Sequence, residues 1–167
     1  MPGLLGVLGI LGLSLWHLLA PRPLPPLEGP VDRVVVDKSD RQLSLIQDGR
    51  VVRVYAVSLG FSPDGDKSRE GDGRTPEGTF RIDRRNDRSR FHLSVGIDYP
   101  QPDDRALAEE GGYSPGGDIF IHGQPQGIEG RVRLAGDWTD GCIAVTNANM
   151  DEIWRVTPLG TEVEIVP

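Results

Sequence analysis

Apolar residues are distributed along this chain in two ways, one unbroken run at the N-terminus and then short alternating runs to the end. Met1 to Ala20, MPGLLGVLGILGLSLWHLLA, contains no Asp, Glu, Lys or Arg. As a helix rising about 1.5 Å per residue it would span roughly 30 Å, the thickness of a bilayer core. Residues 1–20 are therefore expected to be a signal peptide or signal anchor. The absence of a basic leading segment and the poor cleavage site at Leu18-Leu19-Ala20 favour the uncleaved anchor. Residues 21–30, PRPLPPLEGP, hold five prolines in ten and read as a stiff, extended linker.

From Val31 onward the period is that of strands. Val34 to Val36, Leu43 to Ile46 and Val51 to Val57 are β-rich runs, and Asp48-Gly49 between the last two is a hairpin turn. Gly60 to Gly78 is a glycine-rich polar loop, long enough to expect a functional or mobile role. Thr79 to Asp83, Phe91 to Ile97, Ile119 to Ile121, Cys142 to Val145 and Thr161 to Val166 read as further strands. Asp103 to Glu110 reads as a short helix stopped by Gly111-Gly112. Asn147 to Val156 reads as a second helix with Asn147 as its N-cap. The pattern predicts one domain over residues 31–167, mainly β with short helices.

Composition changes this picture in two places. A formal net charge of -7 and a pI near 4.9 leave no broad basic surface for phosphates, so nucleic acid is excluded as an expected partner. The chain has a single cysteine, Cys142, and cannot form an internal disulfide. An exported protein ordinarily pairs its thiols, so a lone one calls for a reason, either reactivity or burial as a small hydrophobe.

The neighbours of Cys142 point to reactivity. His122 precedes it by 20 positions, and both stand at the edges of predicted strands. A free thiol near pKa 8.5 is only a few per cent thiolate at neutral pH, so a cysteine nucleophile needs a base, and an imidazole is the usual one. Gly141 permits a tight turn before Cys142, where amide N–H groups could hold a developing oxyanion. Thr139 offers a hydroxyl to orient the histidine or the loop. His92, between Phe91 and Leu93, is expected to be a core histidine. One cysteine and one suitably placed histidine do not assemble a zinc site, so no metal or other cofactor is expected.

Ile121-His122-Gly123 followed by Thr139-Asp140-Gly141-Cys142-Ile143 resembles the YkuD family of L,D-transpeptidases, over about residues 31–167. Tyr99-Pro100 and Gly116-Gly117 extend the resemblance towards a YafK-like branch. The resemblance implies a β-sandwich or mixed-sheet catalytic domain in the periplasm or cell envelope, tethered to the inner membrane by residues 1–20. It implies that Cys142 attacks the third residue of a peptidoglycan tetrapeptide stem, expels the terminal D-alanine as a thioester forms, and passes the acyl group to an acceptor amine. His122 is then the base, Gly123, Thr139, Asp140 and Gly141 complete the catalytic neighbourhood, and Tyr99, Arg74, Trp138, Gly117 and Asn147 meet the substrate. An envelope lipoprotein is a further implied acceptor.

Two positions depart from the family's pattern. Asp140 stands where the motif has histidine, and Ala144 where many members carry arginine. A carboxylate at 140 raises a neighbouring thiol's pKa, unless it pairs with His122. The alternatives are an L,D-carboxypeptidase or amidase-type hydrolase on the same fold, a sortase-like transpeptidase, and a noncatalytic peptidoglycan-binding module. The sortase pattern wants an arginine on a strand after the cysteine, whereas Arg155 falls in a predicted helix.

Overall fold

The computed structural model describes residues 24–167. The predicted anchor and the start of the Pro-rich linker lie outside them. In chain order the elements are β1 (Arg33–Asp37), β2 (Gln42–Gln47), β3 (Arg50–Ala56), β4 (Gly78–Ser89), β5 (His92–Ile97), α1 (Pro102–Gly111), β6 (Phe120–His122), β7 (Ile143–Ala144), α2 (Asn147–Val156) and β8 (Glu162–Val166). No helix among the described residues is long and apolar enough to cross a membrane.

Alternation builds the first half of the sheet. Val34 and Val36 of β1 and Leu43 and Leu45 of β2 are fully buried, with less buried residues between them. Asp48 and Gly49 both adopt positive φ, 51° and 70°, which lets a two-residue turn follow the twist of β2 and β3. β8 returns from the end of the chain to lie parallel to β1 and antiparallel to β4. The result is a mixed eight-stranded sheet in the order β3-β2-β1-β8-β4-β5-β6-β7, so the predicted mainly-β, mixed-sheet architecture is observed.

β4 is the element that joins the two halves. Its first residues pair with β8 and its remainder with β5, and it runs 12 residues where alternation predicts five. Residues 83–89, DRRNDRS, contain no apolar side chain, so the hydrophobic pattern stops while the backbone ladder to β5 continues. Two irregularities in register, at Ile82/Arg84 and Asn86/Ser89, bend this strand. Extra residues of this kind raise local twist and redirect side chains.

One core serves both halves, from Val34 and Leu43 through Phe80 and Val95 to Ile121, Ile143 and Met150. α2 packs on β5 and β6 and contributes Met150, Ile153 and Val156. Its N-cap is Thr146, whose Oγ1 accepts the Asn149 N–H at 3.1 Å, and not Asn147 as the sequence suggested. Thr146 lies one position earlier with extended backbone, which frees Asn147 to turn inward. α1 stops as predicted, with Gly112 in the left-handed region at φ 67°.

Two buried lysines fasten the long loop. Lys38 Nζ donates to Gly65 O at 2.7 Å, Thr75 O at 3.0 Å and Glu77 Oε1 at 2.7 Å. Lys67 Nζ donates to Arg69 O at 3.1 Å and Asp72 Oδ1 at 2.9 Å. Hence the loop expected to be functional or mobile is tied down at both ends. Residues 24–30 do not project as a free spacer either. Leu27 packs on the core, and Gln47 Nε2 donates to the carbonyls of Glu28 and Pro30 at 2.8 and 3.0 Å.

Candidate active site

Cys142 stands just before β7 and is held from two sides. On one side β7 pairs parallel with β6, Ile121 against Ile143 and His122 against Ala144. On the other, Ser58 and Ala144 exchange backbone hydrogen bonds of 2.9 and 2.8 Å, Thr139 N–H donates to Leu59 O at 3.1 Å, and Phe61 N–H donates to Thr139 O at 2.9 Å. Within the turn, Thr139 Oγ1 accepts the Gly141 N–H at 3.2 Å and donates to Cys142 O at 2.7 Å. Thr139 thus orients the loop and not the histidine. Gly141's amide is taken by this turn and is not free to hold an oxyanion.

Gly141 itself is dictated by geometry. Its φ is +123°, and a Cβ there would lie 2.6 Å from the carbonyl oxygen of Arg74. The turn before Cys142 can approach the long loop this closely only with no side chain at 141.

Extending the β6–β7 register by one residue sets Cys142 beside Phe120. Strand side chains alternate, so Cys142 emerges on the same face as Phe120 and His122 while Ile121 and Ile143 fill the core. Phe120 N–H donates to Cys142 Sγ at 3.4 Å, and the thiol donates to Asp118 O at 3.5 Å. No hydrogen bond joins Cys142 to His122. Both side chains nevertheless line one cavity of about 290 Å³, with Asn86, Arg88, Ser89, Arg90, Phe91, Ser94, Asp118 and Phe120.

The imidazole is fixed by its neighbours. His122 Nδ1 lies 2.7 Å from Gly123 O, where it can only donate, so in the neutral ring Nε2 carries a free lone pair. Phe91 stacks on the ring with centroids 4.5 Å apart, and Trp138 meets it edge-on at 5.9 Å. Burial holds the His122 pKa below its usual value, against the opposing hydrogen bond to Gly123. Burial also pushes the Cys142 thiol up to about 11, opposed by the Phe120 N–H and by Lys67 and reinforced by the carboxylates of Asp140 and Asp118. At neutral pH the resting site is therefore thiol and neutral imidazole, not thiolate and imidazolium.

A larger cavity, about 680 Å³, opens beyond Asp118, which lines both. Its walls include Lys67, Glu70, Arg84, Tyr99, Gly117 and Asp140. Asp140 faces this cavity and makes no hydrogen bond to His122, so the suggested pairing is not formed. Arg84 bridges the two spaces, bonded to Asp118 at 3.4 Å with its guanidinium 4.6 Å above the Phe120 ring.

Of the residues proposed to meet substrate, Tyr99 and Gly117 line the larger cavity. Trp138 lines neither cavity and meets the His122 ring edge-on. Arg74 lines neither cavity and donates to Asp66 O at 3.2 Å. Asn147 is buried, accepting the Gln124 N–H at 2.7 Å and donating to Ile128 O at 2.8 Å, so it secures the loop after β6. Gly123 allows this arrangement, since a Cβ there would lie 2.6 Å from Asn147 Oδ1. His92 is no core histidine: it is exposed at the start of β5 and bonds Asp151 Oδ1 at 2.6 Å. Arg84, Arg88, Arg90 and Lys67 are site residues that pattern reading missed. The signal for the three arginines was the density of arginine in Arg81 to Arg90, a stretch too polar to be explained by packing; Lys67 in the long loop gave none.

The chain is similar to known proteins in sequence and in fold. A family model described as YkuD, L,D-transpeptidase catalytic domain, matches residues 31–165. YafK of Escherichia coli (strain K12) is 33% identical over 93 residues, which is 54% of this chain and 31% of that protein. YqjB of Bacillus subtilis (strain 168) is 28% identical over 135 residues, 79% of this chain and 69% of that protein. Both are named provisionally as L,D-transpeptidases. Among solved structures, the helical cell shape determining protein Pgp2 of Campylobacter jejuni matches with a TM-score of 0.63 and 28% identity, over 83% of this chain and 48% of that one. An L,D-transpeptidase of Xylanimonas cellulosilytica, 21% identical with a TM-score of 0.53 over 92% of this chain and 68% of its own, shares the fold. The chain thus spans under half the length of the E. coli and C. jejuni proteins.

Proposed function

Because the chain belongs to the YkuD family of L,D-transpeptidase catalytic domains, we propose that it is a cell-envelope acyltransferase acting on peptidoglycan tetrapeptide stems through Cys142. The supporting observation is that thiol and imidazole open into one cavity while Nδ1 of His122 is committed to Gly123, leaving Nε2 to take a proton. In the first step the Cys142 sulfur bonds to the carbonyl carbon of the third stem residue. The bond to the D-alanine nitrogen breaks, and the thiol proton passes through His122 to the departing amine. In the second step a stem side-chain amine attacks the thioester, its proton returns through His122 to sulfur, and a 3-3 cross-link forms.

The raised thiol pKa requires proton transfer during attack, since almost no thiolate exists beforehand. A substrate that displaces the thiol from Asp118 O would release its proton for His122. The same observations favour one other reading, a binding module whose inherited cysteine no longer reacts, because the thiol is directed at Asp118 and two carboxylates oppose its ionisation. The N-terminal segment would tether the domain outside the inner membrane, where the substrate lies.

Incubation with tetrapeptide muropeptides, followed by mass spectrometry of protein and products, tests the proposal. A thioester on Cys142, absent in Cys142→Ala and His122→Ala, and then 3-3 dimers are expected. Shortened monomers would assign a carboxypeptidase, an adduct on a lipoprotein amine a different acceptor, and retained binding with unchanged substrate the noncatalytic module.

A further inference from the structure

The smaller cavity carries a charge pattern that the reaction, as written above, does not use. Its cationic lining comes from Arg88 and Arg90, at the tip of the β4–β5 hairpin. Its acidic side chain, Asp118, is bonded to Arg84, which belongs to the larger cavity. Among the described residues, neither Arg88 nor Arg90 has a carboxylate within ion-pair distance. Arg84, on the same strand, has two. The space beside Cys142 is therefore lined by two exposed arginines that have no ion-pair partner among the described residues, Arg90 with its guanidinium 5.9 Å from the Phe91 ring centroid, and by the neutral polar side chains of Asn86 and Ser89.

The hairpin is shaped to present these groups. Between the pairs Asn86–Ser94 and Ser89–His92, β4 carries two residues, Asp87 and Arg88, against Leu93 of β5. Such an extra residue turns the strand tip and re-aims its side chains. At about 290 Å³ the cavity is at the lower end of the roughly 300–1,000 Å³ typical of small-molecule sites. It suits one small residue and not a peptide strand. Guanidinium groups match a carboxylate with paired N–H donors.

Resting on the acyl-transfer reading above, we propose that Arg88 and Arg90 bind the free α-carboxylate of the residue that departs from the donor stem, so that these two side chains set the preference for a free acid over a neutral group at that position. The larger cavity across Asp118, of mixed charge, then takes the portion of the stem that stays on sulfur.

The experiment compares, with the full chain, a tetrapeptide stem ending in D-alanine and the same peptide ending in D-alaninamide. The rate of Cys142 thioester formation is followed by intact-protein mass spectrometry. Charge-assisted hydrogen bonds at an exposed rim predict a preference for the acid of at least about tenfold in kcat/KM, weakening as salt is raised. Arg88→Gln/Arg90→Gln should acylate the two peptides at equal rates, with unchanged circular dichroism and urea midpoint. Equal acylation of acid and amide by the unaltered protein, or a preference that survives in the double variant, overturns the assignment without touching the proposed reaction. Absence of thioester with both peptides sinks the proposed reaction and this subsite together.

Discussion

The protonation state of Cys142 is open to direct titration. Burial, and after it Asp140 and Asp118, push the thiol up to about 11 despite the Phe120 N–H and Lys67. At pH 7 the thiolate fraction is then about 10⁻⁴, against about 3 × 10⁻² for a cysteine at its ordinary pKa near 8.5, a ratio of roughly 300. A more basic thiolate is intrinsically more nucleophilic towards a disulfide, which with a Brønsted slope of about 0.45 returns roughly tenfold. Reaction with a small aromatic disulfide should thus be roughly 20- to 30-fold slower than for a free cysteine, and should rise tenfold per pH unit with no plateau below about pH 10. Asp140→Asn removes one carboxylate and should move the plateau down, though not to the free value, because burial is the larger cause. His122→Ala should leave this profile in place, since no imidazolium supports the resting thiol. A plateau at or below pH 8 in the unaltered protein would mean a preformed thiolate–imidazolium pair and would refute the reasoning.

Two further outcomes follow from the loops that support the site. Gly141→Ala should abolish thioester formation and cost several kcal/mol in urea unfolding, combining a positive-φ strain of about 1–3 kcal/mol with a 2.6 Å approach to Arg74 O; Gly136→Ala, at φ +75° with open space around it, should show the strain alone. For Asp72, burial pushes the carboxyl up but is outweighed by Lys67 and by the N–H groups of Arg69, Arg74 and Ser68, which hold it at about 2. Because the folded pKa is depressed, its contribution of about 2–3 kcal/mol is complete above about pH 4 and is lost as pH falls through 2. Urea midpoints measured down to pH 2 should fall less steeply for Asp72→Asn, and an unchanged slope would show that the Lys67 pair does not secure the loop.

The strands of the first half were legible because each buries one face, as Val34, Val36, Leu43 and Leu45 do. The second half of β4 was not, since its backbone pairing leaves no mark on side chains that are all polar. Cys142 and His122 could be singled out from residue types at their spacing, and the fold brings both to one cavity. Their surroundings depended on facts that no local window contains. Whether Asp140 turns to His122 or to the larger cavity, and whether Arg74 turns to substrate or to Asp66, is decided by segments far away in sequence. Asn147 was misread as a cap for a related reason. Its side chain has a better use inside, pinning Gln124 and Ile128, and Thr146 was there to cap in its place. The two buried lysines ran against the ordinary expectation for lysine and were found only through their carbonyl partners.

The two-sided clamp on the Cys142 turn ties the arrangement of the candidate site to the completion of folding. Ser58 and Ala144 stand about half the chain length apart, so the contact that seats the turn is non-local and cannot form from either segment alone. In the unfolded chain Cys142 is an ordinary thiol with no imidazole held beside it. The shared cavity of Cys142 and His122 is complete only when the segment after β3 has met β7, so the proposed acyl transfer would wait on a finished fold.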